Sequence, residues 1–188
     1  ARLVYDLGVD VRAVQAAPLV PGPDASAASA DELVQVAGGG WSWKPGGDGL
    51  PPGMEVVAGD AGRIGVETAP QGAWLSSQAP VLLAVGEPFE GMEVSADLDL
   101  TGFEGTATLV HHVRGADDYD FVSVQKSGNE LLIVQGRQSG THFRGYVGGE
   151  MAVHGHGEAA AAGRAGLRIE GPGRVRLLRL AATPIADE

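Results

Sequence analysis

The chain has 188 residues, with 13 Lys+Arg against 24 Asp+Glu, a net charge of −11 and a pI near 4.8. That balance excludes a nucleic-acid binder, because nothing here would displace counterions from phosphates. Zero cysteine excludes a disulfide scaffold, a thiolate metal site and a Cys nucleophile, and no apolar run reaches the ~18 residues a spanning helix needs.

A hydrophobic content of 44% is too high for a disordered chain, and the length suits one domain over 1–188. Glycine and proline together supply 30 + 11 = 41 residues, so the chain is heavily punctuated. The Cys-free, acidic, Gly-rich composition and the start at Ala1 without Met lead to the expectation of an exported protein, secreted or at the cell surface. Oligomeric state is left open.

The first segment, Arg2 to Val14, alternates as a strand does, and Pro18, Pro21 and Pro23 stop it. Ser29 and Glu32 match a capping box for a helical turn over 30–36, and Leu33 to Val36 reads equally well as a strand. Residues 41–53 are so rich in Gly and Pro that they read as a loop carrying Trp41 and Trp43. Short strands are predicted at 54–58, 63–67, 73–76 and 81–85, with a turn at Gly59–Gly62. In 92–100 the apolar Met92, Val94, Ala96, Leu98 and Leu100 alternate with Glu93, Ser95, Asp97 and Asp99, a half-buried strand. Strands at 106–114, 119–126 and 130–137 follow, separated by turns at 115–118 and 127–129. The Ala run at 158–165 is the one stretch with some helical character, weakened by its glycines. Leu167–Glu170, the turn Gly171–Pro172–Gly173 and Arg174–Ala181 read as a closing hairpin. Turns every 8–12 residues favour an antiparallel sandwich or barrel.

The strings Val113-Arg114, Asp117-Asp118-Tyr119 and Phe121-Val122-Ser123-Val124, with the closing GPGRVRLLRL, resemble the meander and last strand of concanavalin A-like (laminin-G-like) jelly rolls. The resemblance covers roughly 54–181, with Trp74 and Phe89 at the places where such domains carry aromatic residues. It implies an all-β, antiparallel jelly-roll β-sandwich. It does not transfer a function, because lectins, glycosidases, lyases and adhesion modules share that fold. It also implies a structural Ca²⁺, for which the hard oxygens of Asp117 and Asp118, beside Asp120, are the expected ligands; Asp6, or Asp60 with Glu67, are equally arguable.

Several constellations carry chemistry. Trp41, Trp43, Tyr119 and Phe121, edged by His112, Arg114 and Gln125, form an expected sugar platform of rings and polar groups. Asp97 and Asp99 share a strand face at a spacing that permits acid/base work, but glucanases of the resembled family use a Glu-x-Asp-x-Glu type pattern that Glu93, Asp97 and Asp99 do not reproduce. His154 and His156, with His142 nearby, have the His-x-His spacing of a zinc or copper site. His111 and His112 are adjacent, so on a regular strand they face opposite ways and do not easily share a metal. No GxSxG or strand-bound GxGxxG occurs. Arginines gather in the last 25 positions as Arg164, Arg168, Arg174, Arg176 and Arg179.

The leading expectation is an exported, non-catalytic carbohydrate-binding or adhesion module with a glycan partner. The alternatives are a polysaccharide-acting hydrolase or lyase with Asp97, Asp99, His112 or Glu93 converging in one cleft, and a self-assembling surface protein.

Overall fold

A computed structural model of the chain describes residues 2–5, 32–47, 49–50, 53–139, 142–147 and 162–185, with backbone alone at 2–5 and 142–147. The described residues are all-β and antiparallel, without an α-helix. In chain order the strands are β1 (Arg2–Tyr5), β2 (Glu32–Gln35), β3 (Trp41–Lys44), β4 (Met54–Ala58), β5 (Gly65–Thr68) and β6 (Ala73–Phe89). They continue with β7 (Met92–Asp99), β8 (Gly105–Gly115), β9 (Asp118–Ser127), β10 (Glu130–Ser139), β11 (His142–Val147) and β12 (Gly163–Pro184). Short 3-10 turns occupy Ala37–Gly39 and Ala61–Arg63.

β12 organises the sheet, pairing with β3, β6, β7 and β8. Its first part, 163–170, lies between β6 and β8, and the ladder continues outward through β9, β10 and β11. Its second part, 175–184, lies between β7 on one edge and the ends of β6 and β3 on the other. The change of partners falls at Gly171–Gly173. There Gly171 has φ 132°, and a Cβ on it would stand 2.7 Å from Gly105 Cα, so only glycine lets the two backbones cross.

The two parts of β12 contribute to one core. Ala165, Leu167 and Ile169 from the first part, with Val85, Ala107, Leu109 and Val124, meet Val175, Leu177, Leu180 and Ala182 from the second, with Val94, Ala96 and Leu98. The sheet therefore doubles over on itself in a sandwich-like way. β7 shows the expected alternation, Leu98 being buried and Asp97 partly exposed.

Four expectations are corrected. Trp41–Lys44 is a strand rather than a loop, because Trp41 and Trp43 both point into the core and pair through the backbone with Ala182 and Leu180. The stretches 73–76 and 81–85 belong to one bent strand, and so do 167–170 and 174–181, which form no hairpin. β7 and β8 do not pair with each other as a meander would have them; both pair with β12, β8 along its first part and β7 along its second. Of the two readings left open over 30–36, the strand is found, as β2 at Glu32–Gln35. Residues 6–14 and the Ala run over 158–161 lie outside the described residues.

Candidate metal centre

The functional geometry gathers where β8 meets β9. A regular hairpin closed by Gly115 and Asp118 would set Val113 opposite Asp120. Instead His111 is the partner of Asp120, because β8 carries extra residues between His111 and Gly115. Within that bulge His112 has φ 49°, the sole positive φ outside glycine among the described residues. Histidine is one of the residue types that tolerates this region, at a cost of about 1–3 kcal/mol that clusters at functional sites.

The distortion rotates two adjacent imidazoles toward each other. His111 Nδ1 and His112 Nδ1 are 2.8 Å apart, and the rings meet edge to face with centroids at 4.9 Å. At that separation one Nδ1 carries the proton and the other accepts it. Asp120 Oδ2 is 3.6 Å from His112 Nδ1. One donor atom from each of His111, His112 and Asp120 lies within 4.8 Å of the others. The histidines are 2% and 1% exposed. Burial, followed by the neighbouring His112, pushes His111 down to about 4, against a smaller upward pull from Asp120. Burial raises Asp120, but His112, His111 and Arg137 together hold its carboxyl below the ordinary carboxylate value. A neutral imidazole and an ionised carboxylate are the forms that bind metal.

The donor set fits a borderline cation. Two imidazoles and a carboxylate suit Zn²⁺ or Cu²⁺, whereas Ca²⁺ takes six or more oxygens. His111, His112 and Asp120 would hold such a borderline cation, with bonds of ~2.0–2.1 Å asking for ligand atoms about 3.3 Å apart, between the 2.8 Å and 3.6 Å separations present here. Gly163 backs the bulge. A Cβ there would stand 2.5 Å from His112 Cα and 2.8 Å from Val113 N.

An ion-pair chain surrounds the donors. Arg114 binds both oxygens of Asp118, Nε to Oδ2 at 2.8 Å and Nη2 to Oδ1 at 2.5 Å. That pairing, ahead of all other influences, lowers the Asp118 carboxyl. Arg137 lies 3.8 Å from Asp118 and 3.9 Å from Asp120.

Other sequence-derived site residues fall elsewhere. Trp41 and Trp43 are 0% exposed and offer no ring face to a sugar, which corrects their place in the platform. Phe121 is likewise buried, against Leu82, Val110 and Val134, and Tyr119 meets its edge at 6.3 Å. Gln125 is exposed farther along β9. Arg114 is spent on Asp118, and His112 on His111 and Asp120. Asp117 is exposed in the turn, while both oxygens of Asp118 are engaged by a guanidinium, which argues against the expected calcium ligation there. Asp99 is bound by Arg176 at 2.7 Å and by the Thr101 amide at 2.9 Å. His154 and His156 lie outside the described residues, as does the side chain of His142.

Strand periodicity sets His111 and His112 on opposite faces, and the bulge is what brings their rings together. No family model, curated protein or solved structure matches this chain.

Proposed function

We propose that this chain is a metal-binding β-sheet module holding one zinc- or copper-class divalent cation on His111, His112 and Asp120. The observation that carries this reading is the bulge at His112, which brings two imidazoles from successive residues to one point beside a carboxylate. Three protein ligands leave a coordination position for water or an added ligand. Equilibrium dialysis of the full chain against Zn²⁺, Cu²⁺ and Ca²⁺, with metal analysis, tests it. One equivalent of Zn²⁺ or Cu²⁺ is expected, lost in His112→Asn and Asp120→Asn and kept in a His154→Gln/His156→Gln double variant. No uptake by the wild type, or uptake lost only in the double variant, overturns it.

A second reading keeps the glycan expectation and moves its platform. Trp74 is the one tryptophan of three with solvent exposure, with Arg174 4.4 Å and Arg176 5.5 Å from its ring centre. Glu67 and Asp99 pair with these arginines, giving a charge-balanced strip suited to a neutral polysaccharide. Affinity electrophoresis in soluble neutral polysaccharides should show retardation that Trp74→Ala removes; no retardation of the wild type rejects the idea. The doubled-over sheet and the β8–β11 meander support the finer class, a concanavalin A-like jelly roll.

A further inference from the structure

We propose that Arg137 is a positioning residue for the metal centre, holding Asp120 so that a single oxygen faces the two imidazoles. This inference rests on the metal reading above and adds a residue to it.

Asp120 has two oxygens with different neighbours. Oδ2 faces His112 Nδ1 at 3.6 Å, while Oδ1 faces Arg137 Nε at 3.9 Å. The placement follows from register: Arg137 on β10 is the direct cross-strand partner of Asp120 on β9, which is in turn the partner of His111 on β8. Three adjacent strands thus put guanidinium, carboxylate and imidazole in one row.

Arg137 is itself steadied. Its Nη2 lies 3.8 Å from Asp118 Oδ1, and Asp118 is clamped by the two-point pair with Arg114. Charges alternate along Arg114, Asp118, Arg137 and Asp120, so each carboxylate is flanked by a cation. A carboxylate free to turn would present either oxygen, or both, to a cation. With Oδ1 drawn to Arg137, it presents Oδ2. Groups that orient a ligand in this way typically change metal affinity 10–100-fold.

A competing effect has the opposite sign. A guanidinium near a divalent cation repels it, so removing the positive charge would strengthen binding if charge were all that mattered. Arg137 is 49% exposed, which leaves that repulsion well screened. Orientation therefore dominates, and the sign of the affinity change decides between the two.

The test is calorimetric titration of the full chain with ZnCl₂ for wild type, Arg137→Gln, Arg137→Lys and the exposed control Arg63→Gln. Cu²⁺ electron paramagnetic resonance is recorded on the same proteins. Arg137→Gln should weaken Zn²⁺ about 10–100-fold and alter the Cu²⁺ hyperfine pattern, Arg137→Lys should recover part of the loss, and Arg63→Gln should match wild type. Unchanged or tighter Zn²⁺ binding in Arg137→Gln, with an unaltered Cu²⁺ spectrum, overturns the positioning role and leaves the metal reading standing. A wild type that binds neither cation removes both.

Discussion

His111 and His112 are consecutive in the chain, yet their Nδ1 atoms lie 2.8 Å apart inside the protein. On a regular strand their side chains would leave opposite faces of the sheet. The contact exists because β8 is bulged and His112 takes a positive φ.

The burial of His111, with that contact second, makes stability depend on pH. His111 falls from the ordinary 6.5 to about 4 in the folded state. Between those values the unfolded chain binds a proton that the folded chain does not, so stability falls as pH drops through the window and is flat above it. The shift corresponds to roughly 3 kcal/mol at most. Urea unfolding of the metal-free protein from pH 7.5 to 4 should show this loss, and His111→Leu should flatten it. An equal slope in that variant would assign the pH dependence to other groups.

The positive φ at His112 sorts substitutions by backbone preference. Asparagine tolerates this region and a β-branched residue does not. His112→Asn should therefore stay about 1–3 kcal/mol more stable than His112→Val. Equal midpoints in chemical denaturation would show that the bulge relaxes without strain.

Gly163 has no room for a side chain against the bulge. Gly163→Ala should cost about 1–3 kcal/mol and weaken Zn²⁺ uptake, since the displaced backbone is that of His112. Thermal melts and dialysis of the same sample measure both; a variant with wild-type values in each would show the bulge is not braced by β12.

Trp43 belongs to the core, not to a surface. Trp43→Ala should lose about 3–5 kcal/mol of stability, read by urea midpoint. A loss below about 1 kcal/mol would contradict its full burial.

Much of the strand pattern was legible. Alternation placed Leu98 inward and Asp97 outward, and the turns at 115–118 and 127–129 fall where glycine and aspartate put them. Two things were hidden. Trp41 and Trp43 sit among so many breakers that their shared parity did not register as a strand, though that parity is what buries both. The proposed centre at His111 and Asp120 was hidden because periodicity assumes an unbroken ladder. A bulge changes partners without changing composition, and nothing in the letters His-His-Val-Arg-Gly marks it. Strand 8 also has Ala107 to Val113 buried throughout, so inward and outward lose their contrast where the chemistry lies.

The four-partner role of β12 has a consequence for assembly. Its residues, 163–184, leave the ribosome after β3, β6, β7 and β8, which cannot complete their ladders until it arrives. Loops of tens of residues must close before those pairings reward the chain, the condition for slow folding and for exposed, adhesive strand edges in the interval. Chaperone dependence during synthesis, and aggregation of any nascent chain halted before residue 163, follow from that order of arrival.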